Sequence, residues 1–153
     1  MKNIKKLSLL VIIFSLLFLM TGCGNKNVEG SLEEIMSSVY ENLDDENKPM
    51  MLENIDINEE NIEYYLGTAD IEFEEAIASE SMTGSIAHSV VLVRVKDNAN
   101  IEDIKKKIED NVDPRKWICV EAENVVVKSK GNLIILIMVN DGLEELEEGF
   151  DNL

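Results

Sequence analysis

The sequence predicts an α+β fold: a three-stranded, mostly antiparallel sheet with packed helices, in the order α-α-α-β-α-β-β-α. Three observations carry that expectation. An apolar stripe at helical spacing runs from Leu32 to Leu43, a β-branched run HSVVLVRV starts at His88, and ENVVVKSKGNLIILIMV turns back on itself about Lys130-Gly131.

The first helix is announced by a capping box, Ser31 followed by Glu34, and Leu32, Ile35, Met36, Val39, Tyr40 and Leu43 line one side of it. DDENK and Pro49 close it, and a loop follows through Met50 and Met51. A second helix is expected within residues 58–66, stopped by Gly67, and a third within 70–79. The period then changes to two: Val91, Val93 and Val95 share one face and Val90, Leu92 and Arg94 the other, which predicts the first strand. Asn100 caps the next helix, whose stripe is Ile101, Ile104, Ile108 and Val112, with Lys105, Lys106 and Lys107 on its outer flank and Asp113-Pro114 at its end. The last two strands form a hairpin in which Gly131 supplies positive φ. Leu133 to Val139 is apolar at every position, so that strand is expected in mid-sheet with both faces covered. Asp141 and Glu144 form a second capping-box pattern ahead of Leu143, Leu146 and Phe150.

Upstream of this domain, Lys2, Lys5 and Lys6 precede an apolar run from Leu7 to Met20 that ends at Leu19-Met20-Thr21-Gly22-Cys23. Fourteen residues are few for a bilayer span, which takes about 20, but suit the core of a secretory signal of about 7 to 15. The cleavage region resembles the lipobox of bacterial lipoproteins. That resemblance implies a signal peptide over residues 1–22, cleavage before Cys23, and a diacylglyceryl group (palmitate-type chains) on the Cys23 thiol. Residues 23–30 then read as a polar, glycine-bounded tether and 31–153 as a single domain.

Cleavage leaves 131 residues and removes three lysines, so 11 basic residues face 31 acidic ones and the mature chain carries a formal charge of −20. Such a charge opposes nucleic acid and anionic membrane surfaces alike, so attachment to the membrane falls to the diacylglyceryl anchor. A basic envelope protein or a cationic ligand is the compatible partner. With Cys23 acylated, Cys119 stands alone and no internal disulfide forms; within WICV it reads as a small buried hydrophobe.

The lipobox, the Ser31 helix, NIEYYLG, SVVLVRVKD, IEDIKKKI and the closing hairpin together resemble a family of uncharacterised small lipoproteins of Gram-positive bacteria, built on one domain of unknown function. The resemblance spans roughly residues 31–150 and implies the domain layout and an extracytoplasmic location on the cell membrane. It brings no active-site residues with it.

A search for chemistry yields no assembled set. Asp56, Asn58 and Glu60 have the first spacings of a calcium loop, but Asn61 stands where glycine is needed and Gly67 where a bidentate glutamate is needed. One histidine and one free cysteine do not make a zinc site. His88 beside Ser85 and Ser89 lacks a nucleophile elbow and reads as structural. Trp117 is expected to plug the space between helix and sheet; Met50 and Met51 cover a core edge or meet a partner. The expectation is a non-enzymatic, lipid-anchored binding module without catalytic residues, cofactors or metals, Cys23 being its one assigned site. The alternative is a small envelope hydrolase using carboxylates.

Overall fold

The computed structural model describes residues 27–153; the apolar leader and Cys23 lie outside the described residues. In chain order the elements are α1 (Leu32–Val39), β1 (Leu52–Asp56), α2 (Ile62–Leu66), β2 (Glu75–Ser81), β3 (His88–Arg94), α3 (Ile101–Asn111), β4 (Asn124–Lys130), β5 (Leu133–Val139) and α4 (Leu143–Asp151). The five strands form one antiparallel sheet in the order β1-β2-β3-β5-β4. The expected three-stranded sheet and its α-α-α-β-α-β-β-α order are therefore corrected: the sheet has five strands, and among the described residues there are four helices.

Both extra strands lack the signal that identifies a strand in sequence. β1, LENID, has only two apolar residues and lies at the sheet edge, half in solvent, so no alternation marks it out of the expected loop. β2, EAIASES, occupies much of the expected third helix. Its Glu and Ala residues favour a helix locally, but pairing with β1 on one side and β3 on the other decides otherwise. Ala76 and Ala78 are small enough to let α2 and its flanking loop lie close to the sheet on one face, while Ile77 fills the other.

The remaining elements follow the sequence closely. Ser31 and Glu34 exchange side-chain and backbone bonds as a capping box, and Asn100 Oδ1 accepts from the Asp103 amide. Gly67 ends α2 in the left-handed region at φ 73°. α4 departs from expectation: its N-cap is Gly142 at φ 74°, with no side-chain cap bond, so the Asp141–Glu144 box does not form. The left-handed backbone at residue 142 explains the glycine, and an added Cβ would also press on the end of the Leu43 side chain.

Two cores sandwich the sheet. α1 and α4 cover the face formed by Ile77, Val90, Leu92, Leu133, Ile135, Ile137 and Val139. On the other face, α2, α3 and Trp117 cover Ala76, Ala78, Val91, Val93, Ile134, Leu136 and Met138. Every residue of β5 is buried, as its unbroken apolar run requires when helices cover both faces. Val28, within the expected tether, packs against the α1 side, and the Gly30 carbonyl accepts from Arg94 Nη2 at 2.8 Å. The chain thus reaches the domain at the Arg94 end of the sheet. The opposite, distal end is where β2 finishes at Ser81 and β3 begins at His88.

Candidate functional site

The distal end holds two polar sets, one on each face of the sheet. Glu80 and Ser89 are register partners on neighbouring strands and share the α2 face. Lys116, from the loop after α3, places its ammonium 2.7 Å from Glu80 Oε2 and 3.0 Å from Ser89 Oγ. The adjacent Trp117 indole N–H donates to Glu80 Oε1 at 3.0 Å, so both oxygens of this buried carboxylate are engaged. The same ammonium lies 5.0, 4.8 and 5.2 Å from the ring centres of Tyr64, Tyr65 and Trp117. Three π faces and a carboxylate around one ammonium are the usual means of holding an organic cation away from water. Burial pulls Lys116 below the ordinary lysine range while Glu80 works the other way. Burial also raises Tyr64 and Tyr65, with Glu80 adding to the shift.

A Ser–Lys contact of 3.0 Å resembles the start of a nucleophile–base pair. Here the lysine is paired with Glu80 and enclosed by three rings, and Ser89 is fully buried. The arrangement fastens the Trp117 loop to the sheet through Glu80 and Ser89.

The second set lies behind it on the α1 face. The Tyr40 hydroxyl, from the C-terminal cap of α1, lies 2.7 Å from Nε2 of the buried His88. Burial lowers His88 from 6.5 to about 4 and raises the Tyr40 phenol far above its ordinary value. The contact therefore joins a neutral phenol to a neutral imidazole, and the imidazole tautomer sets which of the two donates. His88 borders a hollow of about 270 Å³ with Ser85 and Asp141 at its rim. As strand neighbours, Ser89 and His88 point to opposite faces and form no base–nucleophile pair.

Large apolar side chains are exposed at this same end. Met50, Met51, Met82, Tyr64 and Ile118 are between 52% and 90% exposed. Met82 N–H bonds to the Met51 carbonyl, and Ile118 lies beside Gly84, so the residues belong to adjoining loops. Met50 and Met51 are thus surface residues rather than core cover. Trp117 is buried in the core that α2 and α3 form with the sheet. Cys119, expected inside, is exposed, because the loop turns Trp117 inward and the next two residues outward.

The other sequence candidates are local structure. Asn58 Oδ1 accepts from the Glu60 amide, Asn61 Oδ1 accepts from the Asn58 amide, and Asn61 Nδ2 donates to the Asp56 carbonyl, so these side chains build the turn into α2. Among the described residues no group of three or more His, Cys, Asp or Glu side chains is placed to hold a metal, and no helix is long and apolar enough to cross a membrane. Sequence reasoning missed Glu80 and Lys116; the one available signal was a lysine flanking the Trp117 already taken as buried. Comparison with protein-family models, curated proteins and solved structures finds no match.

Proposed function

We propose that this chain is a non-catalytic interaction module, held by a diacylglyceryl group on Cys23 at the extracytoplasmic face of the cell membrane, that binds a basic envelope component through its distal end. The observation that carries the reading is the opposition of the two ends. The chain reaches the fold at Gly30 beside Arg94, whereas Met50, Met51, Met82, Tyr64 and Ile118 are exposed at the other end. An exposed apolar patch on a chain of formal charge −17 suits a basic protein surface, where burial supplies affinity and charge supplies orientation. The lipobox-like motif and the resemblance to small Gram-positive lipoproteins support the location.

The anchor is tested by Cys23→Ser. The variant is expected to lose incorporation of radiolabelled fatty acid and to accumulate as uncleaved precursor. Equal labelling of variant and wild type would end the lipoprotein reading.

A further inference from the structure

The two edges of the sheet are unlike. On β4, Lys128 reaches Glu147 and Asp151, and Lys130 donates to the Asp151 carbonyl, so lysines tied to α4 guard that edge. β1 has no lysine, proline or helix across its outer side; its charged residues are Glu53 and Asp56, both exposed. Its backbone phase is set by two bonds, Met82 N–H to the Met51 carbonyl and Ile57 N–H to the Ala76 carbonyl. Odd-numbered residues therefore bond to β2, and Leu52, Asn54 and Asp56 turn their amides and carbonyls outward. The Asp56 carbonyl is taken by Asn61 Nδ2, leaving both groups of Leu52 and Asn54 and the amide of Asp56 open to a further strand.

Beside this edge runs a groove of about 530 Å³ between α1 and β1, with Tyr40 and Leu52 in its apolar part and Glu41 and Asp45 at its rim. Lys48 is the one cation in its lining, 6.0 Å from the Tyr40 ring centre.

We propose that β1 is a docking edge for an extended, basic segment of a partner protein, which adds a sixth strand and sets alternate apolar side chains into the α1–β1 groove. Charge selects the occupant. A second copy of this chain would bring Glu53 and Asp56 against their equivalents, on a molecule whose net charge is already −17. The lysines or arginines that alternate with those apolar residues lie on the α2 side and meet Glu53. Asp56, Glu41 and Asp45 add negative charge on the groove side, and main-chain bonds to Leu52 and Asn54 supply register. The inference rests on the reading of the chain as a binding module, and not on the Cys23 anchor.

The test uses the full chain in detergent and a labelled peptide of alternating lysine and valine. Binding is expected, with amide exchange at Leu52 and Asn54 slowing at least roughly tenfold while Glu53 and Ile55 keep their rates. A peptide N-methylated on alternate residues keeps its charge but loses the donors, and is expected to bind roughly tenfold or more weakly, as is the unmethylated peptide to Glu53→Lys/Asp56→Lys. Both substitutions lie at exposed positions, so folding is retained. Equal binding of the methylated peptide, or unchanged exchange at Leu52 and Asn54, overturns strand addition. A self-associated chain that protects the same amides without peptide overturns the choice of occupant. Either failure leaves the anchored-module reading standing, since that depends on Cys23 and the distal apolar patch.

Discussion

Lys116 and Glu80 compensate each other in a place where neither charge survives alone. Their side chains are 4% and 7% exposed, so Lys116→Ala leaves a carboxylate buried beside three aromatic rings. The expected loss is about 3–5 kcal/mol, read as a lower denaturant midpoint. Lys116→Met/Glu80→Gln is expected to recover most of it, because glutamine still accepts from the Trp117 indole and no charge remains. A double variant no more stable than Lys116→Ala would mean that the pair is not the source of the loss. His88 makes an opposite kind of prediction. Its folded value of about 4 lies below the ordinary 6.5, so the unfolded chain takes the proton first. Its contribution is complete above the unfolded value and is lost as pH falls from there toward 4, about 3 kcal/mol over the window. The carboxylates titrate in the same range, so the quantity to measure is wild type minus His88→Gln across pH. A difference that stays flat would contradict the burial of a neutral histidine.

Among elements, β5 and the α1–α4 crossing carry the sharpest tests. Ile135 and Leu136 are both fully buried, on opposite faces. Ile135→Asp and Leu136→Asp are each expected to unfold the domain, since a carboxylate without a partner costs a large part of a total stability of about 5–15 kcal/mol. Loss of cooperative melting checks this, and a tolerated substitution would mean that one face of β5 opens to water. Gly149 of α4 lies against the Val39 backbone of α1, where an added Cβ would collide with the Val39 carbonyl. Gly149→Ala should therefore destabilise by about 1–3 kcal/mol, although alanine favours helices. These elements also show what was legible. α1, β3, α3 and β5 have strong periods because water or a second core lies on a defined side of each. β1 has one wet side and two apolar residues, and β2 relies on small residues and a buried glutamate, so neither differs locally from a loop or a helix. The candidate site was less legible still: Glu80 and Lys116 are 36 residues apart, and each sits in a segment that reads as surface.

For the whole molecule, reach decides which surface faces outward. From Cys23 to Asn27 there are four residues of chain, at most about 14 Å, while a seven-residue strand such as β3 spans about 20 Å. A domain anchored through Cys23 therefore keeps its Arg94 end toward the bilayer and cannot invert to bring the distal end beneath it. This orientation is tested most directly with the full chain on vesicles whose headgroups carry a nitroxide quencher, in a Cys119→Ser background. One fluorophore is placed at Met82→Cys on the distal end. The other is placed at Glu102→Cys, which shares a surface hollow with Asn27 near the Arg94 end. Strong quenching at position 102 and little at 82 is the expected result; quenching at 82 equal to or above that at 102 would place the apolar end on the membrane and contradict a distal docking surface.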